Sequence, residues 1–364
     1  MEADYVIVGS GLTGAVIARI LADAGKSVAI LERRSHLGGN VHDSVHASGI
    51  SIHAYGPHYF RTNNDDLWAF VNRFSAFYPF SAVVKSWIDG KFENWPIAES
   101  SIRRIAGTNW KPDFQGVPSN FEEASLAIMP RAIYEKFVKG YTEKQWGVAA
   151  ATLAAGLARR FDVRADDEPR LVRHKWQGLP VRGYSGMMQR MLAGIPIHLN
   201  CDYLSHRASW QPRRLTVFTG PIDEYFGFDL GRLKYRGQQR QHEYFPDAGL
   251  LQPCGQVNNP DPTNGPHIRT LEWKHMMANP QAPGLRGTVL TRETPFSPSN
   301  PSDYEYPFPD AANAQLYRSY NERAVRVPRL LVCGRLGEYR YYDMDQAIAR
   351  AMLLAGKILE GRTN

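Results

Sequence analysis

Six residues near the N-terminus, Gly9-Ser-Gly-Leu-Thr-Gly14, constrain what this chain can fold into more than any other stretch. The short β-branched run "DYVIV" precedes them. "AVIARILADAG", with helical spacing of its apolar residues, follows, and "SVAILE" then reads as a second strand. At such a strand–helix joint the pattern G-x-G-x-x-G has a mechanical meaning. Gly9 permits the tight turn, Gly11 lets the backbone approach a pyrophosphate, and Gly14 allows the helix to pack closely on the strand. The free N–H groups of the helix start then face the phosphates. Glu32, at the end of the second strand, is placed to accept hydrogen bonds from an adenosine ribose. Its charge argues against a 2′-phosphate and so against NADP, although Arg33 and Arg34 stand beside it. The fingerprint alone does not separate FAD from NAD.

A length of 364 residues leaves room for two or three packed units around this start. No apolar run approaches the roughly 20 residues that span a bilayer, so no membrane contact is expected. The early run "YVIVGSGLTGAVIA" has neither a basic leader nor a small-residue cleavage site, and suits a buried strand and turn better than a signal peptide. Cys201, Cys254 and Cys333 are odd in number and far apart, which fits a reducing cytoplasm rather than a disulfide framework or a zinc site. The net charge of +7 admits anionic partners. The arginines are scattered, however, at Arg61, Arg160, Arg292 and Arg335 among others, and no nucleic-acid motif accompanies them. Arginines converging in one cleft on a phosphorylated small molecule are expected instead.

Farther along, "VVKSWIDGKFENW" reads as a hairpin turning at Asp89-Gly90. Residues 99–150 change to helical spacing, with Ser119 and Glu122 as a helix start. Residues 151–176 mix arginines and acids without a period and are expected to be a long, mobile connection. Between 200 and 310, strand-like pieces alternate with Pro-, Gly- and Asn-rich loops. The last fifty residues return to an α/β pattern, "RLLVCG" then "DQAIARAMLLAGKILEG".

Three further stretches carry chemistry. In "YGPHYFRT", His58 and Arg61 lie three residues apart, on opposite faces of a strand. They reach one ligand only if the chain turns at the preceding Gly-Pro. No second histidine sits at ligand spacing and there is no HExxH, so no metal is expected. In "CGRLGEYRYYDMDQAIA", Asp343 or Asp345 can start the last helix, whose end either meets a diphosphate or polyol or is simply capped. In "FVKGYTEKQWG", Phe137 and Tyr141 fall on one helix face. Spacing alone favours a core stripe over a base-stacking pocket.

Taken in order, "GSGLTG" with "LERR" and "LGGN", "YGPHYFRT", "FVKGYTEKQWG", "QGLPVRGYSGMM", "FTGPIDEYFGF" and "GRLGEYRYYDMDQAIA" resemble the UDP-galactopyranose mutase family of flavoenzymes from end to end. The resemblance implies an α/β protein: a Rossmann-like FAD-binding domain with an inserted helical domain and an antiparallel β-sheet domain. The corresponding segments are 1–80, 178–220 and 328–364 for the first, 98–150 with the mobile loop 151–176 for the second, and 81–97 with 221–327 for the third. It implies an isomerase that interconverts pyranose and furanose forms of a nucleotide-linked hexose without net oxidation. In the family's mechanism N5 of the reduced flavin attacks the anomeric carbon, displaces the diphosphate and forms a covalent sugar adduct that opens and recloses.

By motif position, FAD would meet Gly9, Ser10, Gly11, Gly14, Glu32, Arg33, Gly39, Asn40, His58, Arg335, Asp343 and Met344. Phe137 and Tyr141 would flank the base, with Thr142 and Trp146 near the ribose and sugar. Arg160 on the mobile loop and Arg292 in "TRE" would grip the diphosphate, helped by the hydroxyls of Tyr184, Tyr306 and Tyr341, while Arg159 and Arg164 would be surface charges. His58 would touch the isoalloxazine. Arg61 stands where galactose-specific bacterial members carry a histidine, which opens the donor to N-acetylated or deoxygenated sugars and to other nucleotides. The family resemblance further implies a homodimer. The rival readings are a flavin oxidoreductase of the amine-oxidase type and a binding protein that retains the fold without activity.

Overall fold

The computed structural model describes residues 3–362. Its centre is a five-stranded parallel sheet in the order Ile197–His198, Val28–Leu31, Tyr5–Val8, Leu215–Phe218, Leu330–Val332. Tyr5–Val8 and Val28–Leu31 are apolar throughout because both faces of the sheet are covered. On one face the helices Leu12–Asp23 and Met344–Leu359 pack against each other and close the main core around Ile7, Val16, Ile30 and Ile348. On the other face Val6, Ala29, Tyr203 and Phe218 form a smaller cluster. Strands from both ends of the chain thus complete one nucleotide-type sheet.

The second large sheet has seven strands, in the order Tyr306–Pro307, Tyr235–Phe245, Thr288–Phe296, Arg269–Glu272, Gln256–Asn258, Val84–Ile88, Lys91–Trp95. Neighbours run antiparallel except Gln256–Asn258 with Val84–Ile88, which are parallel. That pair joins segments far apart in sequence, where a crossover rather than a hairpin connects the strands. Asp89 and Gly90 both take positive φ, 49° and 79°, as a tight two-residue hairpin turn requires. A three-stranded sheet of Phe60–Thr62, Trp176–Pro180 and Phe77–Pro79 carries Arg61.

Between these layers the helices Glu99–Ala106, Phe121–Leu126 and Arg131–Trp146 enclose their own core of Ile102, Phe121, Ile133, Tyr134 and Phe137. The Phe121–Leu126 helix starts one residue later than expected. Asn120 accepts the Glu123 amide at 3.0 Å, and the Glu123 carboxylate in turn takes the Ser119 amide at 2.7 Å. Residues 150–164 form two short turns and a strand, Val163–Arg164, paired with Ile97–Ala98. Arg164, expected on the surface, is buried: it donates to the carbonyls of Glu168, Arg170 and Leu171 and so folds the following loop around itself. Among the described residues no helix is long and apolar enough to cross a membrane, and no group of three or more His, Cys, Asp or Glu could hold a metal.

Candidate active site

The first cavity is a cleft of about 1160 Å³, counted out to its open mouth, at the C-terminal ends of the parallel strands. Its floor is made by glycines, and at Gly14 and Gly39 nothing larger fits. A Cβ on Gly14 would lie 2.1 Å from the Gly9 carbonyl oxygen, and one on Gly39 only 2.9 Å from the Gly11 Cα. The turn at Gly38-Gly39 therefore lies directly against the first glycine turn, bridged from Gly11 to Gly38. Of the residues expected to meet a cofactor, Gly9, Gly11, Gly14, Glu32, Arg33, Gly39, Asn40, His58, Arg335 and Met344 line this cleft.

Two residues expected there lie elsewhere. Ser10 is fully buried and turns to Glu32, donating from its amide at 2.8 Å and its hydroxyl at 2.7 Å. It aims the carboxylate rather than meeting a ligand. Asp343 caps the last helix from the far side of the cleft, where it accepts from Arg61 and from the Tyr341 hydroxyl, each at 3.1 Å. Arg33 is held by a two-point pair with Glu224, at 3.0 and 2.8 Å.

Beside Glu224, Asp223 is wholly buried. One oxygen accepts the Leu233 amide at 2.9 Å while the other has no partner, and burial pushes its carboxyl up from 3.8 to about 6. The folded chain therefore holds a proton that the unfolded chain releases between those values. The contribution to stability is full below the lower value and is lost as pH rises through the upper one. Asp223→Asn keeps the acceptor without the charge. It should raise the thermal midpoint more at about pH 8 than at about pH 4, and equal gains at both would remove this reading.

His58 closes the inner end of the cleft. Its amide donates to His53 Nδ1 at 3.0 Å, and its own Nδ1 is buried without a partner. Burial, with the added repulsion of His53 and Arg335, holds it well below the usual histidine range, so the ring is neutral at pH 7. A glycine cradle at one end and an unpaired buried ring nitrogen at the other suit a dinucleotide whose ring system lies against His58.

A second cavity of about 1030 Å³ lies between the Gly140–Trp146 helix, the seven-stranded sheet and the turn carrying Arg160. Arg61, Tyr141, Thr142, Trp146, Arg160, Tyr306 and Tyr341 line it, together with Arg269, which the sequence reading did not single out. The Arg160 and Arg335 guanidinium carbons lie 4.6 and 4.9 Å from the Tyr341 ring centroid, and Tyr306 stacks on the same ring. Thr142 Oγ1 is buried with no partner. A smaller chamber of about 610 Å³ joins the two cavities: His58, Arg335 and Met344 reach it from the cofactor side, Arg61, Arg269, Tyr306, Tyr341 and Asp343 from the other.

Three expected substrate residues are not in this pocket. Phe137, in the π-helical segment Tyr134–Lys139, is buried in the helical core, while Tyr141 lines the pocket. Tyr184 is also fully buried and donates its hydroxyl to the His58 carbonyl at 3.0 Å, so it supports His58 rather than a phosphate. Arg292 is exposed and pairs with Glu243 at 3.1 Å. Successive strand residues face opposite sides, so Glu293 points inward where Arg292 points out. On the neighbouring strand Arg269, paired across from Glu293, takes the inward place.

Comparison with known proteins agrees with this plan. The family model for UDP-galactopyranose mutase matches residues 136–341, and that for an NAD(P)-binding Rossmann-like domain matches 7–74. A probable UDP-galactopyranose mutase of Klebsiella pneumoniae is 32% identical over 99% of this chain and 96% of its own length. The dTDP-fucopyranose mutase of Escherichia coli is 30% identical over 95% and 96%. A crystal structure of reduced UDP-galactopyranose mutase superposes on 100% of this chain and 96% of that one, with a TM-score of 0.76 at 15% identity.

Proposed function

This chain belongs to the UDP-galactopyranose mutase family, and from that premise we propose that it interconverts the pyranose and furanose forms of a UDP- or dTDP-linked hexose, with FAD in the glycine-floored cleft. The observation that carries the reading is the joining chamber. Its size and lining support a sugar held between His58 on the cofactor side and Arg269 on the nucleotide side, with Arg160 in the adjoining pocket. When bound and reduced, the flavin supplies the nucleophile for the anomeric carbon, which allows isomerisation without net oxidation. The chain's own residues do the rest. Arg160 and Arg269 hold the diphosphate as it departs, since a guanidinium keeps its charge and offers paired donors. Tyr306 and Tyr341 add hydroxyl donors, and Thr142 offers its unpartnered hydroxyl to the nucleotide. Neutral His58 can accept or donate without adding charge beside the ring system.

The test is to incubate holoenzyme with a panel of UDP- and dTDP-sugars and separate ring forms by chromatography. Turnover is expected only after reduction with dithionite or NAD(P)H, with the flavin still reduced afterwards. An oxidase of the same fold would instead take electrons from a substrate while its flavin is oxidised, and that result would sink the proposal.

Arg61 bears on the donor. Its guanidinium lies at the edge of the sugar chamber, pinned by Asp343. Arg61→His should change the ranking of donor sugars in that panel while leaving flavin content unchanged. An unaltered ranking would show that Arg61 does not select the sugar.

A further inference from the structure

Beneath the arginine grip runs a line of four charges, Glu305–Arg240–Glu293–Arg269, the glutamates buried and the arginines largely so. Both Arg240 Nη atoms donate to Glu305, at 2.8 and 2.9 Å, and its Nε donates to Glu293 at 2.8 Å. The other Glu293 oxygen accepts from Arg269 Nε. Glu293 is fully buried and lines none of the cavities described above, while Arg269 reaches the substrate pocket and the joining chamber. Two cations and two anions balance, the condition under which buried charges are tolerated.

The connections are unequal. Arg240 keeps a full two-point partner in Glu305 whatever happens at Glu293. Among the described residues, Glu293 is the one acceptor for the Arg269 side chain, and it takes only Nε. Both Arg269 Nη groups are left free of protein acceptors among those residues. The room for this arrangement comes from Gly56, where a Cβ would lie 2.8 Å from Glu293 Oε1 and 3.3 Å from an Nη of each arginine. A long arginine side chain has several rotamers, and fixing Nε selects the one that turns the two-pronged end to the ligand.

We propose that Glu293 is a positioning residue: by holding Arg269 through Nε, it directs the Arg269 fork at the diphosphate. The inference rests on the reading of Arg269 as a diphosphate ligand. Glu293→Gln, in reduced, flavin-loaded enzyme, should lower kcat/KM between about ten- and a hundredfold, the scale of a slightly misplaced contact. Flavin content should stay unchanged. Because Glu293 acts through Arg269, adding Glu293→Gln to Arg269→Ala should cause no further loss, whereas a general structural role would give the same loss in both backgrounds. Wild-type kcat/KM in the single variant, or full additivity in the double, overturns the proposal. Where the glutamine variant yields no holoenzyme, Glu293→Asp carries the same two-background comparison. Arg269→Ala measured alone keeps the two claims apart: wild-type turnover there removes the grip itself, and the proposal with it.

Discussion

Arg269→Ala is expected to lower turnover by about two orders of magnitude, the loss typical of a group that stabilises developing charge, while Arg292→Ala leaves it near the wild-type rate. The two arginines are close in the sheet, Arg292 pairing with Thr270 next to Arg269. Only the strand's alternation separates their environments. Arg269 is largely enclosed, its charge reinforced by Glu293 despite burial, and its side chain lines the cavity. Arg292 shares solvent with Glu243, and an exposed pair of that kind contributes little. Steady-state rates for both variants, with bound flavin measured in each, decide the matter. Equal losses at the two positions would mean that the sheet face has been assigned wrongly.

Gly14→Ala should yield protein with little or no bound flavin. The added methyl carbon would stand 2.1 Å from the Gly9 carbonyl oxygen and 3.2 Å from Ile7 Cγ2, in backbone and core that cannot swing aside. The helix Leu12–Asp23 must then lift from the first strand, carrying away the N–H groups that would meet the pyrophosphate. Gly356→Ala, in the last helix with open space around it, is the control. It should keep its flavin and gain roughly 0.5–1 kcal/mol from helix propensity. Flavin absorbance per protein reads both. A fully loaded Gly14→Ala enzyme would show that the close helix approach is dispensable.

The cofactor cleft was legible in the sequence because its requirements are local. A glycine turn, the strand before it and the helix after it are contiguous, and the glycine roles follow from backbone geometry alone. The substrate pocket was legible only where a motif supplied the face. Trp146 and Thr142 could be placed from the motif, whereas for Phe137 the spacing pointed to the core, where it lies, and the motif pointed to the pocket. Arg269 and Arg292 illustrate a second limit. Each sits in a strand-like run, and which face is inward depends on pairings across the sheet that no local pattern records. Glu293 was hidden for the same reason.

Because the parallel sheet draws its edge strand Leu330–Val332 and the covering helix Met344–Leu359 from segments far along the chain from the glycine turn, that turn has no finished wall to rest on until those segments have been made and have folded back. Such late closure over long sequence separation slows folding and leaves apolar strands uncovered meanwhile. A chain in which those segments have not yet docked keeps apolar strands uncovered, the kind of surface on which aggregation begins.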